Sequence, residues 1–157
     1  MTPYFETVMA VRDLMDRYIS AIDNDHLEMW PEFFTDDCVY EIIPKENVDL
    51  GLPAPLIYCD NKRMLRDRVV SLRHANIFSP TTYRHFASGL TWKLDGEDIL
   101  TRSNYLVINT SQAGQSIVYQ TGVYADRLVW IDGALKFKVR RAIYDTSRVQ
   151  TLLALPV

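Results

Sequence analysis

At 157 residues and 18.2 kDa, with 48% hydrophobic residues, the chain can bury one core and is too short for two ordinary domains. A formal charge of -3 and a pI near 5.6 exclude nucleic acid as a main partner, which needs a basic face, and no apolar run approaches the roughly 20 residues that span a bilayer. The two cysteines, Cys38 and Cys59, make no disulfide framework and no signal-peptide pattern is present, so a reduced, cytoplasmic setting is expected. Thr2 can cap a helix with Pro3 in its first turn, and Tyr4, Val8, Val11, Leu14, Met15, Tyr18, Ile19 and Ile22 recur at the spacing that gathers one apolar stripe. Asn24 and Asp25 break that pattern. Asp25 is read as the cap of a short turn carrying Leu27 and Trp30, and Phe34 leads into a strand from Cys38 to Ile43.

The prolines and glycine between Pro44 and Pro55 predict a surface loop. Asp60 and Asn61 open a second long helix with Met64, Leu65, Val69 and Leu72 on its buried side and Ile77 as a further candidate; Ser79 and Pro80 end it. From Thr81 the pattern turns to period two, cut by Asp95-Gly96, Ala113-Gly114 and Asp132-Gly133. Four long strands are predicted: 82–94, 99–110, 116–131 and 135–147. Tyr124, Leu128 and Trp130 share a face, as do Leu135, Phe137, Val139 and Ile143, opposite a wet face of Lys136, Lys138 and Arg140. The whole predicts a single α+β domain over residues 1–157, a cone in which two or three helices pack on one side of a curved, mostly antiparallel sheet.

Several residues admit a chemical and a structural role. Asp23, at the end of the first helix, could be an acid or base at the mouth of a pocket, or a helix-end residue paired with backbone or an arginine; the structural role is preferred. Tyr40, Tyr58 and Tyr83 could donate to a substrate oxygen, but among nine tyrosines none stands out. On the first long strand, alternation aligns Arg84 with Phe86, Leu90 and Trp92 and favours it over His85 as the inward polar group, with Gly89 a candidate bulge that would reverse this downstream. His26 and His74 read as surface. Arg141 takes an apolar-side position with Asp145 on the same face, so the two either pair or meet a partner. The tail through Leu152, Leu153, Leu155 and Val157 is apolar and must be covered, by its own sheet as an added edge strand or by another chain. With Trp92 and Trp130 on the long strands, oligomerisation is expected.

The order helix, short helix, strand, helix, strand meander, with Tyr18, Asp23, Trp30, Phe34, Asp37 and Tyr40 in the opener, resembles the NTF2-like or SnoaL-like cone superfamily. The ending RRAIYDTSRVQTLLALPV, the opener IDNDHLEMWPEFF and the segment LRDRVVSLRHANIFSPTTYRH are similar to the small (beta) subunits of aromatic-ring-hydroxylating oxygenases, especially those of the salicylate hydroxylase and terephthalate dioxygenase type. The likeness is dense in those three segments and weak from Leu94 to Gly114. It implies a non-catalytic, metal-free small subunit beside a large (alpha) subunit that carries a Rieske 2Fe-2S cluster and a mononuclear iron, in an α3β3 hexamer built on a trimer of small subunits. It also implies work in the catabolism of an aromatic, carboxylated substrate. The residues agree: neither cysteine lies within two residues of a histidine, as a Rieske centre needs, and His26, His74 and His85 form no H-x-x-x-H pair. No catalytic, cofactor or metal residue is therefore assigned to this chain. Arg141, Asp145, Leu152, Leu153 and Leu155 are the expected interface. The competing expectation is a cofactor-independent dehydratase or isomerase of the SnoaL-like class, with a pocket of Asp23, Tyr40, Arg84 and His85 in which Asp23, Tyr40 and His85 act.

Overall fold

Helix α1 (Pro3–Asp23) starts on the Thr2 hydroxyl, which accepts from the Phe5 amide at 3.3 Å, with Pro3 in the first turn. The computed structural model describes residues 2–75, 81–146 and 155–157. Val11, Leu14, Met15, Tyr18 and Ile22 form the buried stripe, whereas Tyr4 stays exposed and meets the Trp92 ring at 5.4 Å. A 3-10 helix (Leu27–Phe33) follows, and its N-cap is His26 rather than Asp25. Asp25 instead takes a left-handed φ of 61° to turn the chain, which aims its carboxylate away from the helix and onto the Arg73 guanidinium at 2.7 Å.

Strand β1 (Phe34–Pro44) leads into helix α2 (Lys45–Asp49), a short helix inside the segment expected to be loop, then strand β2 (Ile57–Cys59). Asn61 caps helix α3 (Lys62–His74) by accepting from the Met64 amide at 2.9 Å. Leu65 and Val69 are buried and Leu72 packs on the core, but Met64 is exposed; Ile77, Ser79 and Pro80 lie outside the described residues.

Four long strands complete one sheet: β3 (Thr81–Asp95), β4 (Asp98–Ser111), β5 (Ser116–Ile131) and β6 (Ala134–Tyr144). The order is β2-β1-β6-β5-β4-β3, antiparallel except where β1 lies parallel to β6. Asp132 and Gly133, both at positive φ, join Ile131 to Ala134 in the two-residue turn that suits a right-twisted hairpin.

Two bulges set which way side chains point. In β3, register slips by one between Ser88 and Thr91, where Gly89 sits at φ +65°. Upstream, Tyr83 and His85 therefore face the helices and Arg84 and Phe86 face away. Downstream, Leu90 and Trp92 turn inward and Thr91 and Lys93 outward. In β6, Phe137 pairs with Leu128 and Val139 with Arg127, so Lys138 is an extra residue and the phase slips again. Leu135 and Phe137 point in before it; Arg140, Ala142 and Tyr144 point in after it.

These slips overturn two expectations. Arg84 is exposed, and His85, 6% exposed, is the inward group. Arg140 is not on a wet face with Lys136 and Lys138: it is 1% exposed in the core. Trp130, at the end of β5, keeps the face of Tyr124 and Leu128, opposite Leu135, but is half-exposed there. Where β5 crosses β6 the strands come so close that a Cβ on Gly122 would lie 2.2 Å from the Ile143 carbonyl oxygen, so no larger residue fits.

Candidate functional site

The mouth of the cone is closed by the chain's own residues 155–157. Tyr18 on α1 and Tyr40 on β1, both fully buried, donate their hydroxyls to the Val157 main-chain oxygen at 3.1 and 3.2 Å. Tyr40 also accepts from the Val157 amide at 3.1 Å, and Trp30 donates its indole N–H to the Tyr18 hydroxyl at 3.1 Å. Val157 is 1% exposed, Pro156 is buried and Leu155 packs against the core. The tail therefore forms neither an edge strand nor a free apolar end over these residues. Leu152 and Leu153 lie outside the described residues.

Asp23 and His85 hold the next contact. One Asp23 oxygen accepts the His85 amide at 2.9 Å and the other meets ring Nδ1 at 2.6 Å, which staples the end of α1 to β3. Ring Nε2 lies 3.2 Å from the Pro156 oxygen. Asp23, Tyr40 and His85 do converge, as the competing expectation required, but their polar atoms are engaged by the tail and by each other. Arg84 is not among them.

Below the tail sits a cationic core. The Arg140 guanidinium lies 3.6 Å from the Tyr124 ring centre, 4.3 Å from Tyr18 and 4.6 Å from Phe137, and 3.6 Å from the Asp126 carboxylate. Burial pushes the Asp126 carboxyl up to about 6, against the lowering pull of Arg140 and of the Thr101 hydroxyl. Burial likewise raises Tyr18, Tyr40 and Tyr124 well above ordinary phenols, so they remain neutral donors. The inward turn of Arg140 had no pattern to announce the Lys138 bulge, and its one signal was Ala142 and Tyr144 continuing its phase; Asp126 was legible, since it alternates with Tyr124 and Leu128 on β5.

Elsewhere, Arg141 bonds through Nε to Glu41, and Asp145 accepts from the Thr121 hydroxyl at 2.9 Å, so they do not pair with each other. The register places both on the sheet face turned away from α1 and α3: Arg141 lies in a row with Glu41, Ala125, Arg102 and Thr91. Tyr58 is half-exposed on β2 and Tyr83 packs on Tyr119 at 5.3 Å between ring centres. His26 and His74 are exposed. Among the described residues no three His, Cys, Asp or Glu side chains gather to hold a metal, and Cys38 and Cys59 are buried free thiols. No helix among them is long and apolar enough to cross a membrane.

Comparison with known proteins shows what this arrangement is similar to. The SnoaL-like domain family matches residues 3–141. The anthranilate 1,2-dioxygenase small subunit of Burkholderia cepacia is 57% identical over all of this chain and 96% of its own length. A terephthalate 1,2-dioxygenase terminal oxygenase beta subunit of a Comamonas species is 37% identical over 89% of this chain and 92% of its own. A solved structure described as the beta subunit of an aromatic-ring-hydroxylating dioxygenase of Novosphingobium aromaticivorans superposes with a TM-score of 0.87 at 41% identity, covering 95% of each chain.

Proposed function

Because the chain belongs to the SnoaL-like family, among the small subunits of aromatic-ring dioxygenases, we propose that it is the non-catalytic small subunit of a terminal oxygenase that hydroxylates an aromatic carboxylate. Its work is assembly. As a single domain in the cytoplasm, it self-associates as a trimer that braces three large subunits in an α3β3 hexamer. The large subunit holds the Rieske cluster and the mononuclear iron, and electrons arrive from NAD(P)H through a separate reductase. The carboxylated substrate is supported by the names of the two relatives, anthranilate and terephthalate dioxygenases, both acting on aromatic acids.

The observation that carries the non-catalytic reading is the closed mouth. Tyr18, Tyr40 and His85, the polar groups that an acid–base site would aim at a substrate, are spent on Val157 and Pro156. A cofactor-independent dehydratase or isomerase remains the second reading because Asp23, Tyr40 and His85 stand together at hydrogen-bond distance of one segment. It requires that segment to leave.

The test is expression of the large subunit with and without this chain, measuring particle size and turnover. The expected result is a complex of both subunits that turns over and a large subunit that fails to assemble alone. Full activity and correct size without this chain would refute the assembly role. Turnover of a small hydroxylated or ketonic substrate by this chain alone, lost in His85→Ala, would establish the second reading.

A further inference from the structure

Pro156 and Val157 are held at the cone mouth by side chains of the body. The Pro156 oxygen meets His85 Nε2, the Val157 amide donates to the Tyr40 hydroxyl, and the Val157 oxygen accepts from Tyr18 and Tyr40. Proline brings no N–H, so the main-chain polar groups of this dipeptide are matched without any strand or helix pairing. The Val157 side chain is buried and Leu155 packs against the core.

Each of these recognising groups is also fixed by neighbours that do not belong to the tail. Tyr18 accepts the Trp30 indole N–H and lies against the Arg140 guanidinium. Tyr40 stands edge-on to Trp30 and Phe34, at 5.1 and 5.9 Å between ring centres. His85 is stapled by both oxygens of Asp23. A cradle fixed from behind keeps its geometry when its occupant is exchanged, and a preorganised site loses little freedom on binding. Buried phenols without an acceptor are costly, so an acceptor of matching shape is favoured there.

We propose that the cone mouth is a binding site for a short acyl amide with a small branched apolar side chain, the chemistry of a peptide, and that residues 155–157 are its resident occupant. Two phenols on one oxygen place the acyl group, the Tyr40 hydroxyl on the neighbouring N–H sets the direction, and the recess around Val157 selects the side chain. A free compound of this class competes with a tail whose tether gives it a high effective concentration, so the site shows itself only when the tail is unseated. This holds whether or not the chain assembles with a large subunit.

The experiment keeps the chain at full length and compares the parent with Leu155→Asp/Val157→Asp, whose tail cannot seat without burying carboxylates. The probe is acetyl-Leu-Pro-Val amide, matched by acetyl-Leu-Pro-Gly amide, each titrated by calorimetry and by thermal unfolding. The valine probe should bind the variant at least about tenfold more tightly than the parent. At about ten times its dissociation constant it should raise the variant's melting temperature by about 3–6 °C. Adding Tyr40→Phe to the variant removes a donor and an acceptor and should weaken binding at least about tenfold, and the glycine probe should bind at least about tenfold more weakly than the valine probe. No binding by a folded variant overturns the proposal. Equal binding by parent and variant would put the site elsewhere on the surface and also overturn it, as would indifference to Tyr40→Phe or to loss of the valine side chain. If the variant is unfolded without probe, the valine probe is expected to restore the parent's far-UV circular dichroism where the glycine probe does not, and its failure to do so overturns the proposal equally.

Discussion

Removing residues 155–157 tests whether the tail is a structural part of the cone. The deletion takes away three hydrogen bonds to Val157, from Tyr18 and to and from Tyr40, and the His85 contact to Pro156. Each is worth about 1 kcal/mol net. Returning the Val157 side chain and the packed face of Leu155 to water loses about 3 kcal/mol more. Against this, three residues regain about 1–2 kcal/mol each of backbone freedom. The net expectation is a loss of about 1–4 kcal/mol, which at this chain length lowers the melting temperature by about 3–12 °C. Thermal unfolding followed by far-UV circular dichroism reads this directly. Tyr40→Phe supplies the control: in the intact chain it breaks both Tyr40–Val157 bonds and costs about 1–3 kcal/mol, and in the shortened chain it should cost much less. A shortened chain as stable as the parent, or a Tyr40→Phe cost unchanged by the deletion, would refute the reasoning.

Three further outcomes follow from the core. Gly122→Ala pushes a Cβ into the Ile143 carbonyl oxygen and should destabilise by about 1–3 kcal/mol in urea unfolding. Arg140→Met leaves Asp126 buried without its cation and should cost about 3–5 kcal/mol, most of which Arg140→Met/Asp126→Asn recovers; a double variant no better than the single would break the coupling. Asp126 also sets a pH dependence. Its folded value, about 6, lies above the ordinary 3.8, so the folded chain holds the extra proton between those values. Its contribution is greatest below about pH 4 and is lost as pH rises through 6, by about 3 kcal/mol in full. Unfolding of Asp126→Asn measured from pH 4 to 7 should lack that slope relative to the parent, and identical slopes would count against the assignment.

The elements with a complete local signal were legible in the sequence. Thr2, Asn61 and Asp132-Gly133 act where they were placed, because a cap or a two-residue turn is decided by neighbouring residues. Orientation was not legible wherever phase had to be carried along a strand. Alternation propagates until a bulge slips it, so Arg84 and His85 exchanged faces once Gly89 and Leu90 absorbed the extra residue, and Arg140 went inward after Lys138. The gathering of Asp23, Tyr40 and His85 was readable only as a set of chemical types. What closes over them could not be read, since an apolar tail states that it must be covered and not by what. Asp25 failed as a cap for the same reason that Asp23 succeeded as a staple: a carboxylate at a helix end takes the strongest nearby donor, and that donor lies far away in sequence.

The parallel pairing of β1 with β6 has a consequence for how the chain is made. β1 can pair early with β2, but its parallel neighbour exists only once residues near 140 have been made, and the cone mouth then waits for Val157. On a ribosome α1 and β1 emerge with only the 3-10 helix, α2, β2 and α3 to pack on, and the faces that meet β3 and β6 stay uncovered until those strands follow. Folding must be governed by this late, long-range closure, which is intrinsically slow and leaves the nascent chain open to self-association. Yield in cells should therefore respond more to chaperone supply and to translation rate through residues 81–157 than to the stability of the finished fold.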